Sequence, residues 1–238
     1  MEVGDVSTVV AVDGPSGSGK SSVSREVARR LGLAFLDTGA MYRAATWWCL
    51  DQGVPLTDQV AVAQAVRDLP LVVGVDPDGP TVVVDGRDVG VAIRTTEISS
   101  RVSAVATNLE ARAELGRRQR AVIEAERTGG WSDGRGVVAE GRDITTVVAP
   151  DADVRVLLTA SEEARLARRA RELHGTADAA ALSATRDQVV RRDADDSTVV
   201  QFQVAADGVV TVDSSDLDLE QTVEAVLDVV ERARGARA

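Results

Sequence analysis

Lysine is almost missing from this chain of 238 residues, because Lys20 is the only lysine among 27 basic side chains and all the others are arginine. The guanine-reading motif N-K-x-D of GTPases therefore cannot occur, since Lys20 follows a glycine. Cysteine is represented by Cys49 alone, which excludes an internal disulfide and a cysteine metal cluster. The apolar neighbours of this thiol favour a buried, inert state.

Long apolar runs are also missing, and none approaches the roughly 18 residues needed to span a bilayer. Residues 1–5 are acidic and lack the pattern of a signal peptide, so we expect a cytoplasmic protein. The single histidine, His174, precedes a segment of small residues, and we interpret it as an exposed bystander rather than an acid–base catalyst.

Acidic residues outnumber basic ones, and the net charge is −11. Nucleic acids and anionic membranes would be repelled at long range, so we expect neither as a partner. An anionic substrate would need a locally basic cleft. A chain of 238 residues that is 44% hydrophobic can bury one main core with a small appended lobe, and we expect a monomer.

The one lysine lies in a segment that fits the phosphate-binding pattern G-x-x-x-x-G-K-[ST]. Its glycines let successive backbone N–H groups form an anion-binding nest, and the helix that follows adds its positive N-terminal end. A compact ammonium fits between phosphates where a planar guanidinium is too wide. The predicted ATP-binding residues are Gly14, Pro15, Ser16, Gly17, Ser18, Gly19, Lys20, Ser21 and Ser22.

Alternating short apolar runs and helical patterns predict an α/β fold. We expect a P-loop three-layer fold with a five-stranded parallel sheet, a small inserted antiparallel β element and a helical lid. The predicted strands are 9–13, 34–37, 137–140, 154–159 and 209–213. The predicted helices are 21–31, 40–52, 58–67, 98–127, 161–172, 182–194 and 219–234.

Polar side chains follow the second and third predicted strands, at the end of a parallel sheet where ligands bind. Asp37, Thr38, Tyr42 and Arg43 follow the second strand, and Glu140 and Arg142 follow the third. We expect Ser21 and Glu140, assisted by Asp37, to hold Mg²⁺, with water between the metal and the carboxylates. Arg142 is suited to binding a phosphate.

Arginines are concentrated on the helix predicted after the fourth strand. Arg165 and Arg169 are four residues apart and share one face. Such a run is often only a solvated surface, with Glu162, Glu163 and Glu172 as partners. After a phosphate-binding loop, however, an arginine-bearing lid is what phosphoryl transfer requires.

Five segments in order resemble the bacterial cytidylate (CMP) kinases, a family of nucleoside monophosphate kinases with a P-loop. They are residues 14–22, L-D-T-G-A-M-Y-R at 36–43, R-R-Q-R at 117–120, E-G-R-D at 140–143, and R-D followed by D-S at 192–197. The resemblance covers nearly the whole chain and implies transfer of the γ-phosphate of ATP to CMP or dCMP. It implies a nucleotide-binding core (1–38, 114–160 and 195–238), a monophosphate-binding domain (39–113, with an insertion at 70–95) and a lid (161–194).

The resemblance also implies roles for individual side chains. Arg112 and Asp143 would read the cytosine edge with Thr38 nearby, and Ser103 and Asp196 would contact the sugar. The implied acceptor-phosphate ligands are Arg43 and Arg142, and Tyr42 belongs to the same CMP site. The arginines implied to neutralise the transferring group are Arg165, Arg169 and Arg192.

Two positions depart from the family pattern. Val199 replaces an arginine, and Thr145 replaces a glycine in a turn near the acceptor site. Both changes leave open a weakly active paralogue, a non-catalytic nucleotide-binding module, or a P-loop kinase for another acceptor such as UMP or a small metabolite. Arg112 and Asp143 argue for CMP over UMP, because uracil lacks the amine that a carboxylate would accept from.

Overall fold

The computed structural model describes residues 7–236, apart from the side chains of Glu172, Leu173, Asp187, Gln188 and Arg192. Its strands are β1 (Thr8–Asp13), β2 (Ala34–Asp37), β3 (Leu71–Val73), β4 (Val82–Val84), β5 (Arg87–Asp88), β6 (Gly136–Gly141), β7 (Val154–Thr159) and β8 (Val210–Asp213). Its helices are α1 (Lys20–Leu31), α2 (Thr38–Asp51), α3 (Gln59–Arg67), α4 (Thr96–Arg101), α5 (Ser103–Ala106), α6 (Leu109–Thr128), α7 (Glu162–His174), α8 (Ala179–Ser197) and α9 (Leu219–Gly235).

Five strands form one parallel sheet in the order β2-β6-β1-β7-β8, as the sequence predicts. The other three form a small antiparallel sheet in the order β3-β4-β5, which confirms the predicted inserted element. In the large sheet Asp37 of β2 is in register with Glu140 of β6, and Asp13 of β1 is in register with Gly141. The chemistry-bearing strand ends therefore meet at one edge.

The sheet is covered on both faces because its strands are apolar on both sides. Val9 and Ala11 pack in the core cluster that includes α2 and α6, whereas Val10 and Val12 pack in the cluster that includes α1 and α9. Each fully buried valine or leucine contributes about 1.5–3 kcal/mol through the hydrophobic effect. The central strands are thus held from both faces, which makes their carboxyl ends a rigid platform.

The predicted single helix over 98–127 is wrong, because the chain forms α4, α5 and α6 there. The break before α6 lies at Asn108, whose side-chain oxygen accepts hydrogen bonds from the backbone nitrogens of Glu110 and Ala111. Asparagine competes for backbone donors in this way and favours a helix start over a helix interior. In the lid region α8 extends to Ser197, so Asp196 is helical.

No helix in the part of the chain that the structure describes is long and apolar enough to cross a membrane.

Candidate active site

A cleft of about 1450 Å³ opens at the carboxyl ends of the parallel strands. Its walls come from the phosphate-binding loop, the start of α2, the segment after β6, and the lid helices. The predicted site residues that line it are Ser16, Gly17, Ser18, Gly19, Lys20, Ser21, Ser22, Asp37, Thr38, Tyr42, Arg43, Arg112, Glu140, Arg142, Asp143, Arg169 and Asp196. The fold therefore brings most of the predicted site together.

The phosphate-binding loop runs from β1 into α1, which begins at Lys20. Gly17 has φ +79°, a backbone conformation that favours glycine, and a Cβ atom there would lie 2.6 Å from the carbonyl oxygen of Arg165. Gly14 is required by space alone, because its Cβ atom would lie 2.3 Å from the carbonyl oxygen of Leu158. The Lys20 ammonium lies over the loop, with Nζ 3.3 Å from the carbonyl oxygen of Pro15.

Two carboxylates and a hydroxyl meet beside this loop. Ser21 Oγ donates to Glu140 Oε1 at 2.6 Å, and Asp37 Oδ1 accepts from the backbone nitrogen of Ala40 at 2.8 Å. Burial, followed by the nearby Asp37 charge, raises the pKa of Glu140 to about 7. Burial would also raise the pKa of Asp37, but Arg43 and Arg94 outweigh it and lower that pKa. Near neutral pH Asp37 is therefore ionised, whereas Glu140 is close to the midpoint of its titration.

These oxygen atoms fit a magnesium ion that keeps most of its water. Mg²⁺ prefers oxygen ligands and is commonly bound through one or two carboxylates together with substrate phosphates rather than by a closed protein cage. Accordingly, no cluster of three or more histidine, cysteine, aspartate or glutamate side chains suited to a metal occurs among the described residues. Ser21, Asp37 and Glu140 offer the partial set that such an ion requires.

An arginine–carboxylate pair forms the far wall of the cleft. The Arg112 guanidinium is hydrogen-bonded to Asp143 Oδ2 and donates to the carbonyl oxygen of Ala106 at 2.8 Å. It also lies 5.8 Å from the centre of the Tyr42 ring. Burial raises the pKa of Asp143, although the Arg112 charge opposes that shift. Thr38 donates from Oγ1 to the carbonyl oxygen of Glu140 at 2.7 Å, which ties α2 to β6.

Two guanidinium groups converge on Asp37. Nη2 of Arg43 and Nη2 of Arg94 each lie 3.4 Å from Asp37 Oδ2. The Nε of Arg43 is buried and has no hydrogen-bond partner among the described residues. Arg94 was not predicted from the sequence; it lines the cleft and is the last residue of the short helical turn Ala92–Arg94.

Arg142 lies between two acidic side chains of α8. Its Nη2 is 2.9 Å from Asp193 Oδ1, and its Nη1 is 2.9 Å from Asp196 Oδ2. Both ion pairs are off the hydrogen-bond direction, so neither nitrogen has a hydrogen-bond acceptor in the described part of the chain. The guanidinium also stacks 4.5 Å above the Phe202 ring. Arg142 is thus held flat by an aromatic ring between two carboxylates, with which a bound oxyanion would compete for its N–H groups.

The lid helix α7 contacts the phosphate-binding loop directly. Arg165 Nη1 donates to the carbonyl oxygen of Ser16 at 2.9 Å and pairs with Asp193. Arg168 donates to Ser18, Ser214 and Leu217, which anchors α7 to the core. The side chains of Arg165 and Arg168 on α7 are therefore bound to the loop and the core. The alternative that these arginines form only a solvated surface does not hold for these two.

The predicted site residues that do not line the cleft are Gly14, Pro15, Ser103 and Arg165. Arg165 contacts the phosphate-binding loop but does not line the cleft. Ser103 is half-buried outside the cleft, whereas its neighbours Ser99 and Val102 line the cleft. The proposed sugar contact of Ser103 therefore gains no support from the geometry. The side chain of Arg192 lies outside the described part of the structure, although its backbone belongs to α8.

The two departures from the family pattern have clear local environments. Thr145 is buried, and its Oγ1 donates to Asp13 Oδ2 at 2.6 Å, so its added bulk is accommodated beneath the turn. Val199 lies away from the cleft, in a mostly apolar surface groove with Val147 and Val204. Thr145 and Val199 therefore do not line the nucleotide cleft.

Asp13 and Asp193 were also missed as contributors to the site. Asp193 joins Arg142, Arg165 and the backbone nitrogen of Ser16, and Asp13 receives hydrogen bonds from the turn after Asp143. Asp193 lies within the R-D segment that the resemblance singled out. The one sequence feature that could have drawn attention to Asp13 is its position directly before Gly14 of the phosphate-binding loop.

Comparisons with known proteins identify the family to which this chain belongs. The family model described as cytidylate kinase matches residues 10–232. A cytidylate kinase of Streptomyces avermitilis is 47% identical over 242 residues, which cover 100% of both chains. A cytidylate kinase of Cutibacterium acnes is 48% identical over 226 residues, or 93% of this chain and 95% of its own.

Among solved structures, TT1252 from Thermus thermophilus aligns with a TM-score of 0.43 and 19% identity over 93% of this chain and 97% of its own. That likeness is too loose to bear on function. The family model and these relatives instead cover nearly the whole chain, and the chain belongs to the cytidylate kinase family.

Proposed function

We propose that this protein is a nucleoside monophosphate kinase that transfers the γ-phosphate of ATP to CMP or dCMP. The observation that supports it most strongly is a single cleft whose walls carry both the phosphate-binding loop at Lys20 and the Arg112–Asp143 pair. One wall suits a triphosphate and the other suits a base with an exocyclic amine. A UMP kinase is not favoured by the family or by the relatives' names.

The loop side would bind the donor. Backbone N–H groups of the loop and the start of α1 attract the phosphates, and the Lys20 ammonium neutralises charge on the terminal ones. Magnesium, held by the Ser21 hydroxyl and through water by Asp37 and Glu140, would offset charge on the phosphate oxygens. Glu140 is buried, Asp37 is half-buried, and the pairing of β2 with β6 fixes the two residues opposite each other.

The far side would bind the acceptor. A carboxylate at Asp143 can accept from the exocyclic amine of cytosine, and Arg112 holds that carboxylate in place. Arg43 and Arg142 would bind the acceptor phosphate, with Thr38, Tyr42 and Asp196 completing the pocket. The proposed acceptor site therefore combines one base-reading pair with the two guanidinium groups of Arg43 and Arg142, both of which line the cleft.

Transfer between the two sides needs positioning and charge neutralisation rather than a protein nucleophile. The acceptor phosphate oxygen would attack in line, and guanidinium groups would stabilise the charge on the equatorial oxygens. Arg142 and Arg169 line the cleft for this purpose, and Arg165 would act by holding α7 against the loop. A role of Arg192 in neutralising the transferring phosphoryl group stays a prediction.

The division of the chain also remains a proposal. Residues 1–38, 114–160 and 195–238 would form the core, 39–113 the monophosphate-binding domain with its insertion at 70–95, and 161–194 the lid. A monomer in the cytoplasm, without nucleic acid or membrane as partner, stays a prediction from composition and charge.

A coupled assay of ADP release tests the proposed function. We expect turnover with ATP and CMP or dCMP, and far lower kcat/KM with UMP or shikimate, because neither offers the exocyclic amine that Asp143 can accept from. AMP carries such an amine on a larger purine ring, so a low kcat/KM with AMP would reflect the size of the base. A preference for UMP over CMP would overturn the acceptor assignment and leave a P-loop kinase. No turnover with any acceptor, in protein that binds ATP, would favour the non-catalytic module.

Glu140→Gln should raise the Mg²⁺ concentration for half-maximal rate by roughly 10–100-fold, because the amide cannot replace the carboxylate that orders the metal-bound water. The assay belongs at pH 8, where Glu140, with its pKa of about 7, is mostly ionised. Glu126→Gln is the matched control, because Glu126 is a buried carboxylate that binds the backbone of Trp131 and Ser132 instead. It should lower the melting temperature without changing the Mg²⁺ requirement, and equal Mg²⁺ curves for wild type and Glu140→Gln would remove Glu140 from the metal site.

A further inference from the structure

A buried carboxylate joins the start of the phosphate-binding loop to the acceptor side of the cleft. Asp13 is the last residue of β1, directly precedes Gly14, and is only 3% exposed. Its Oδ1 accepts from the backbone nitrogen of Ile144 at 2.9 Å. Its Oδ2 accepts from the backbone nitrogen and the Oγ1 of Thr145, at 2.8 and 2.6 Å.

All three donors belong to the first two residues of the π-helical turn Ile144–Val148, which begins directly after Asp143. The backbone pairing of β1 with β6 extends to Asp13 and Gly141 and no further. Beyond that point one segment becomes the phosphate-binding loop and the other carries Arg142 and Asp143 into the cleft. The Asp13 hydrogen bonds continue the connection between the two segments where the strand pairing stops.

We propose that Asp13 is a positioning residue for the acceptor. By fixing the backbone of residues 144 and 145 against the start of the loop, it holds the Arg112–Asp143 pair at a constant distance from the bound donor. This inference rests on the proposed function, because it assigns the base-reading role to Asp143. Asp13 itself does not line the cleft and so acts only through its neighbours.

An asparagine at this position cannot reproduce the three hydrogen bonds. Its single side-chain oxygen can accept from only one of the two backbone donors, and its NH₂ group then faces the other backbone N–H, either that of Ile144 or that of Thr145. Neither backbone donor can rotate away, so one buried N–H loses its acceptor and the turn must shift. The shift would be passed to Asp143, the residue directly before the turn.

Asp13→Asn should therefore lower the ratio of kcat/KM for CMP to that for UMP roughly tenfold, the scale expected for one unsatisfied buried group. KM for CMP should rise more than KM for ATP. A role in stability alone would lower the melting temperature but leave this ratio unchanged. Ser132→Ala is the matched control, because Ser132 Oγ is buried at the opposite end of β6, where it accepts from Gly136 at 3.1 Å.

A second pair of variants keeps the proposal testable if Asp13→Asn does not fold. Thr145→Val removes one of the three donors and should lower the CMP-to-UMP ratio by a smaller factor, roughly two- to fivefold. Thr145→Ser keeps the hydroxyl and should restore the ratio. A wild-type ratio in Thr145→Val, or in folded Asp13→Asn, would overturn the proposal. Absence of CMP turnover in the wild-type protein would instead defeat the proposed function.

Discussion

Lys20→Met should lower kcat for CMP phosphorylation by roughly 10³-fold or more, with the fold retained. The ammonium is the single cation within the phosphate-binding loop, and loss of a preorganised charge at a transferring phosphate removes transition-state stabilisation that solvent cannot replace. Folding should be largely unaffected, because Lys20 is at the first position of α1 and is not part of either core cluster. Steady-state kinetics and thermal unfolding together measure the two effects.

Lys20→Arg separates charge from shape at the same position. If a compact ammonium is required, the arginine variant should lose most of the activity although it keeps the charge. Arg232→Met is the matched control, since Arg232 is a cation on α9 with 81% of its side chain exposed. It should leave turnover unchanged. Near wild-type kcat in Lys20→Met would contradict the proposed mechanism, and near wild-type kcat in Lys20→Arg would show that charge alone is sufficient.

Arg142→Met should lower kcat/KM for CMP by roughly 10²–10³-fold, the scale of losing one preorganised charged donor. Arg142 is 12% exposed, is held between Asp193 and Asp196 of α8, and stacks on Phe202. Its removal takes away the proposed phosphate ligand and leaves two buried carboxylates without that cation. We therefore expect a higher KM for CMP, a lower kcat, and a lower melting temperature in the absence of nucleotide.

Arg118→Met separates the catalytic loss from the structural one. Arg118 is also a partly buried guanidinium, but it binds the carbonyl oxygens of Leu69, Val66 and Arg67 away from the cleft. Its replacement should lower the melting temperature and leave kcat/KM nearly unchanged. If Arg142→Met retained wild-type kcat/KM, Arg142 would be only a structural partner of α8.

Most of the fold could be predicted from the sequence because the determining patterns are local. The five parallel strands are short apolar runs, and the loop at Gly14 is recognised by spacing alone. The prediction of one helix over 98–127 was wrong for an equally local reason, which the spacing of apolar residues does not show. Asn108 offers its side chain to the next backbone donors and starts α6 there, which divides the helical region.

The ATP-binding side of the site could also be predicted from local sequence patterns. Lys20 and Ser21 belong to one continuous motif, and Asp37 and Glu140 lie at the carboxyl ends of strands that neighbour each other in the parallel sheet. The acceptor side depended on resemblance, because nothing in the spacing of Arg112 and Asp143 shows that they meet. They are 31 residues apart and approach each other only when α6 packs beside β6.

The sequence by itself thus determined the class of fold, the phosphate-binding loop, and the strand ends that hold the carboxylates. Only the tertiary structure decided how Asp13 reaches the turn after Asp143, how Arg94 reaches Asp37, and how Asp193 joins the lid to the loop. Their partners lie 131, 57 and 177 residues away along the chain. Local propensity acts over a few residues, whereas charged side chains are paired by the packing of whole strands and helices.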